Sequence, residues 1–158
     1  MNINISTYLN SPPETIANYV EYVKTWKFVA WPLITILPRN NNFPDKWVPG
    51  NYQVWLFAFG FIPLGLQNIN IEIEHNANGY YVGRDNGSGW IAKVWDHRII
   101  LKVEGDGTLY TDNVRVEAGI LTPIVWAFAV CFYQYRQRRW SQLVNDNFKK
   151  ISIKKTGN

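Results

Sequence analysis

The chain contains one cysteine, one methionine and two histidines in 158 residues, and each scarcity removes a class of chemistry. A lone Cys131 excludes an internal disulfide and fits a reducing compartment, where it is expected to serve as core packing. There is no Cys-x-x-Cys or His-x-x-x-His spacing, and His75 and His97 fall on different expected strands, so no metal site is expected. Gly-x-Ser-x-Gly is absent and Gly87-Ser88-Gly89 lacks a phosphate-binding lysine, which argues against a serine nucleophile and a nucleotide. No cofactor is expected. The first thirty residues lack the basic start and apolar run of a secretory signal, because Asn2, Asn4, Ser6, Thr7 and Asn10 interrupt every apolar window. A cytoplasmic location follows as the expectation. The longest charge-free run, Ile120 to Tyr135, has about 16 residues and is shorter than the roughly 20 that a bilayer needs.

What the chain has in abundance is large rings: aromatic residues make up 16% and include eight tryptophans, within a hydrophobic content of 47%. That composition belongs to a folded chain with a real core, and the length to one domain. We expect a domain over residues 1–145 and a basic, polar tail over 146–158. The net charge of +4 gathers at Arg136, Arg138, Arg139 and Lys149, Lys150, Lys154, Lys155. This reads as a solvated helix end and tail, suited to the helix dipole, rather than as a nucleic-acid surface.

Ile3 to Leu9 reads as a first strand. Ser11 and Glu14 have capping-box spacing with Pro12 at the first helical position, and Ile16, Ala17, Tyr19, Val20 and Val23 continue a helix to about Trp26. Prolines from Pro32 to Pro49 predict loops, with one short element around Leu33 to Leu37. Strands are expected over Tyr52–Phe59, Gln67–His75, Tyr80–Asp85, Trp90–Val103 and Thr108–Glu117, with Asn86-Gly87 as a hairpin turn and Gly60–Gly65 as a loop. Thr122 and Pro123 then mark the start of a long helix whose first half is apolar all round and is expected to be buried on every side.

Short connections imply an antiparallel meander, so side-chain parity can be carried across each turn. With Ile69, Ile71 and Ile73 inward, the inward set becomes Tyr80, Val82 and Arg84, then Ile91, Trp95, His97, Ile99 and Leu101, then Tyr110, Asp112, Val114 and Val116. Lys93 breaks the pattern. Asp112 comes to lie diagonally across from His97. A carboxylate orienting an imidazole suits general base catalysis at neutral pH, although two buried groups satisfying each other's hydrogen bonds is the favoured reading. Arg84 is read either as a clamp for an acidic ligand group or as a bridge to Asp112 or Asp85.

The Ser11-Pro12-Pro13-Glu14 helix start after a strand, the meander with its Tyr110-Thr111-Asp112-Asn113-Val114 strand, and the long last helix resemble the START-like helix-grip (SRPBCC) superfamily. That superfamily includes polyketide cyclases, lipid-transfer domains and plant pathogenesis-related allergens. The likeness spans about residues 3 to 143. It implies an α+β fold in which a curved antiparallel sheet wraps the C-terminal helix, with a cavity for a lipid, polyketide or other small hydrophobic ligand. The usual second short helix would fall between Pro32 and Pro49, and the Gly60–Gly65 loop would be a natural gate. Ligand-lining rings would be Trp55 or Phe57, Tyr80, Trp95, Tyr110, Phe128 and Phe132, with Arg84 as the polar contact. A carrier or sensor is the first reading. A cyclase-, dehydratase- or hydrolase-type enzyme using His97 and Asp112 is the second, and a membrane-associated protein using Ile120–Tyr135 the third, with membrane contact otherwise transient.

Overall fold

Alternating side chains in long β-rich runs need a partner surface for their dry face, and here one sheet supplies a single concave face for one helix. The computed structural model describes residues 1–40, 42–75 and 81–151. Its strands are β1 (Asn2–Leu9), β2 (Ile34–Pro38), β3 (Gly50–Ala58), β4 (Ile62–His75), β5 (Tyr81–Gly89), β6 (Val94–Glu104) and β7 (Gly107–Glu117). Helices α1 (Pro13–Val20) and α2 (Val23–Ala30) lie between β1 and β2, and α3 (Thr122–Asn145) follows β7. The antiparallel order β1-β7-β6-β5-β4-β3-β2 makes every connection after β2 a hairpin, while β1 closes onto β7. This is the helix-grip α+β architecture that the element order implied.

Helix α3 is held by a stripe of 3.6-residue period: Ala129, Phe132, Tyr133, Arg136, Gln137, Trp140, Leu143 and Val144 are buried. Two of these are polar. Arg136, expected on the solvated helix end, is 3% exposed and lies inside the core. The apolar first turns are not buried on every side, since Ile120, Leu121 and Ile124 are exposed. Cys131, expected in the core, also faces outward because it falls off the stripe. Thr122 does not cap α3 as expected: its hydroxyl accepts the Ala118 N–H and donates to the Gly119 carbonyl, closing the preceding 3-10 turn.

Other local expectations shift for identifiable reasons. The first helix start has no side-chain cap, and Pro13 rather than Pro12 opens α1. The single expected helix is two, because the backbone at the break bonds to a distant segment: Val23 N–H to the Asp45 carbonyl (3.0 Å) and Trp47 N–H to the Glu21 carbonyl (2.7 Å). The second helix therefore precedes the proline-rich stretch instead of falling within it. Asn86-Gly87 is no turn; both residues lie within β5, opposite Asp96 and Trp95. Glycine stands there because a Cβ on residue 87 would meet the Asn68 carbonyl oxygen at 2.8 Å. The true connection is residues 90–93, which leaves Lys93 exposed outside the strand. Ile62 to Gly65, expected in a gate loop, pairs with β3. Residues 146–151, expected in the solvated tail, pack on the domain: Phe148 stacks on Tyr19 at 3.7 Å and Ile151 is buried beside Leu9 and Ile16.

Candidate functional site

The site begins with an uneven grip. Helix α3 packs on β1 and β7 and, through α2, keeps its distance from the other edge of the sheet. The space left is a cavity of ≈ 330 Å³. Its walls are Ile34 and Ile36 of β2, Leu56 and Ala58 of β3, Leu64 and Ile69 of β4, Ile91 and Ala92 before β6, and Val125, Phe128 and Phe132 of α3. A volume of this size with mostly apolar walls is that of a small-molecule pocket. At its inner end lies a chamber of ≈ 60 Å³, and the two spaces share Trp26, Ile69, Asp85, His97 and Arg136.

A polar cluster occupies that inner end. His97 Nε2 and Asp112 Oδ1 are 2.7 Å apart, both buried. Asp112 Oδ1 also accepts the Tyr110 hydroxyl (3.2 Å), and Oδ2 accepts Gln137 Nε2 (3.3 Å), which also donates to the Ile5 carbonyl (2.6 Å). Burial opposes ionisation of Asp112, but Arg136 and the bonds from His97 and Gln137 outweigh it and hold its pKa below the ordinary value. Burial is the main cause that lowers the His97 pKa, against the pull of Asp112, so the imidazole is neutral at pH 7. With a proton on Nε2 facing Asp112, Nδ1 is the basic nitrogen. The Tyr133 ring lies 4.8 Å from the imidazole and its hydroxyl accepts Trp95 Nε1–H (3.1 Å), fixing both rings.

Asp85 sits opposite His97 in the β5–β6 register and borders both spaces. Its Oδ1 accepts the Asn70 backbone N–H at 3.1 Å. Burial raises its pKa to about 7 in spite of that bond, well above the usual carboxylate range.

Of the residues singled out in the sequence, the structure brings His97, Asp112, Trp95, Phe128 and Phe132 to the cavity or the cluster beneath it. Tyr110 is fully buried and belongs to the cluster, not to the cavity wall. Trp55 is 45% exposed on the outer face, because Leu56 and Ala58 take the inward positions of β3. Arg84 borders the inner chamber, but its guanidinium is held on the outer face, bonded to Asp96 (2.8 and 3.0 Å) and Glu72 (3.0 Å). The cause is the register of β5, which pairs Ile71 with Asp85 rather than with Arg84. Tyr80 lies outside the described residues. Sequence reading missed Asp85, Tyr133, Arg136 and Gln137. For the last three a signal existed: they fall three and four residues from Ala129, Phe132 and Trp140 on one helical stripe. Asp85 needed the correct β4–β5 register.

Three comparisons bear on this geometry. Residues 9–144 match the family described as Domain of unknown function (DUF8410). No curated protein matches the chain. Among solved structures it is similar to TTHA0849 from Thermus thermophilus, with TM-score 0.63 and 12% identity over 93% of this chain and 99% of that one. Ara h 8.0201 superposes with TM-score 0.62 at 15% identity, covering 93% and 99%. A START superfamily protein from Mycobacterium smegmatis does so with TM-score 0.57 at 14% identity, covering 92% and 98%. Identities this low speak to the fold, which is START-like. Among the described residues no helix is long and apolar enough to cross a membrane.

Proposed function

The chain belongs to the family described as Domain of unknown function (DUF8410), and on its START-like fold we propose that it binds a small hydrophobic molecule between sheet and helix, as a carrier or sensor. The observation that carries this reading is the ≈ 330 Å³ apolar cavity. Its rim adds support: Phe59 and Ile124 both line the cavity and are exposed, and exposed Phe61, Trp90 and Ile120 stand close in the chain to lining residues. Such a rim suits the passage of an apolar ligand, and brief contact with a lipid surface during exchange.

Native mass spectrometry of freshly purified protein tests the reading directly, and a co-purified apolar small molecule is the expected result. Uptake of the neutral fluorescent probe N-phenyl-1-naphthylamine is the second arm, with Val125→Trp, which fills the cavity, as the control. Probe binding that is absent in the parent, or unchanged by the filled cavity, would end the proposal.

One arrangement favours a second reading, an enzyme of the cyclase, dehydratase or hydrolase type: His97, oriented by Asp112, shares the cavity with Asp85, a carboxyl whose pKa is about 7. His97→Ala separates the two. A carrier keeps ligand affinity in that variant, whereas an enzyme keeps binding and loses turnover.

A further inference from the structure

Buried donors that lack a partner are rare and costly, and here they are not scattered. Thr25 Oγ1, Arg136 Nε and Trp140 Nε1 are buried without a hydrogen-bond partner, and all three residues border the ≈ 60 Å³ inner chamber. Thr25 comes from α2, and Arg136 and Trp140 from successive turns of α3. The only ion pair of Arg136 among the described residues is to Asp112, and at 3.9 Å from Nη1 it is longer than a hydrogen bond. Both oxygens of Asp112 are already taken by His97, Tyr110 and Gln137. A guanidinium with a carboxylate close enough to balance its charge, but not to saturate its donors, is poised for another acceptor.

Resting on the reading that the larger cavity takes an apolar molecule, we propose that the inner chamber receives a carboxylate head group, making the ligand an amphiphilic monocarboxylic acid. A planar two-oxygen anion matches the fork of Arg136, and the indole N–H and the threonine hydroxyl add donors from the sides. A dianionic phosphate fits worse, because the chamber is also bordered by Asp85 and the one guanidinium with an unpartnered donor among the described residues, Arg136, already shares its charge with Asp112. The other charged residues on its border are engaged elsewhere, Arg84 with Asp96 and Glu72, and Glu21 with Lys46 at 3.1 Å. Asp85 accommodates a single carboxylate when protonated, the form its buried position favours, and then donates to it. Burial opposes the charge of Arg136, but Tyr110, Asp112 and Tyr133 outweigh it, so the guanidinium stays cationic. The apolar body of the ligand would run from the chamber along Ile69 toward Leu64 and Val125.

Decanoate and 1-decanol differ only in the head group, and their competition with N-phenyl-1-naphthylamine on the full chain is the test. We expect decanoate to bind about ten-fold tighter than the alcohol, the value of one charge-assisted contact. Arg136→Gln should abolish that preference, read as the ratio of acid to alcohol affinity within the variant. Thr25→Val and Trp140→Phe remove donors that have no protein partner, so neither strands a hydrogen-bonding group; Trp140→Phe gives up some core packing, and both should fold and still lose part of the preference, about three-fold each. A purely structural role would not produce that combination. Equal affinity for acid and alcohol in the parent, or a preference retained in every folded variant, overturns the proposal while probe binding leaves the hydrophobic-ligand reading standing. No binding of acid, alcohol or probe overturns both.

Discussion

Two arginine–carboxylate clusters lie on opposite faces of the same sheet, and the better-bonded one is the one nearer water. On the outer face Arg84 grips Asp96 with two bonds of 2.8 and 3.0 Å and reaches Glu72 at 3.0 Å, with side chains 18% to 37% exposed. On the inner face the Arg136 side chain is 4% exposed, holds Asp112 only at 3.9 Å and leaves Nε without a partner. A cluster selected for stability alone would show the opposite, since the buried charge is where missing bonds cost most. The contrast teaches that the inner cluster is arranged around something other than its own pairing.

The largest effect expected from breaking this comparison is at Asp112. Asp112→Asn leaves a buried guanidinium without a counter-charge, which costs about 3–5 kcal/mol, whereas Asp96→Asn on the outer face should cost about 1 kcal/mol or less. Urea unfolding of the two variants beside the parent measures both. If Asp112→Asn costs no more than Asp96→Asn, the inner charges do not depend on each other and the contrast collapses.

The inner cluster is partly legible in the sequence. The parity of β6 and β7 placed His97 and Asp112 on one face and diagonal to each other, and register alone sufficed because Gly105 and Asp106 make a two-residue turn that allows no slip. Position 84 shows how such reasoning fails. The assumed turns before and after β5 were both displaced, one inverted its parity and the other restored it, so β6 came out right and Arg84 came out reversed. A glycine required by the close approach of β4 looks the same in sequence as a glycine required by a turn. Arg136 was overlooked for a different reason: a basic residue next to Arg138 and Arg139 reads as solvated, although its helical phase with Phe132 and Trp140 pointed inward. The break between α1 and α2 depends on Asp45 and Trp47, more than 20 residues away, and no local pattern announces it.

A middle-sized effect sharpens the comparison by titrating it. Asp85 has a folded-state pKa of about 7 against an ordinary 3.8, so the folded state binds the proton more tightly than the unfolded chain. The stability this contributes is complete below about pH 4 and is lost as the pH rises through 7. His97 and Asp112, with lowered pKa values, act in the other direction and lose stability as the pH falls. Subtracting Asp85→Asn from the parent isolates the first term: relative to the parent, the variant should gain on the order of 1–3 kcal/mol between pH 4.5 and pH 8, the figure reduced because the carboxyl borders an open cavity. A flat difference would mean that Asp85 is as well solvated as the carboxylates outside.

The smallest effect is expected where the bonds look best. Arg84→Gln removes three short contacts, yet water reaches each of the three side chains and can replace the lost donors. Arg98 stands directly across from Arg84 and already lies 3.9 Å from Asp96, so the substitution also relieves a like-charge pair and leaves Asp96 a partner. The cost should be about 1 kcal/mol or less, and the decanoate preference should be unchanged because the Arg84 guanidinium is bound to Asp96 and Glu72 on the outer face. A loss above about 2 kcal/mol would show that the outer cluster is electrostatically buried despite its exposure. A loss of acid preference would show that the field at the inner chamber is set through the sheet rather than by Arg136, since the charged end of Arg84 is engaged on the opposite face.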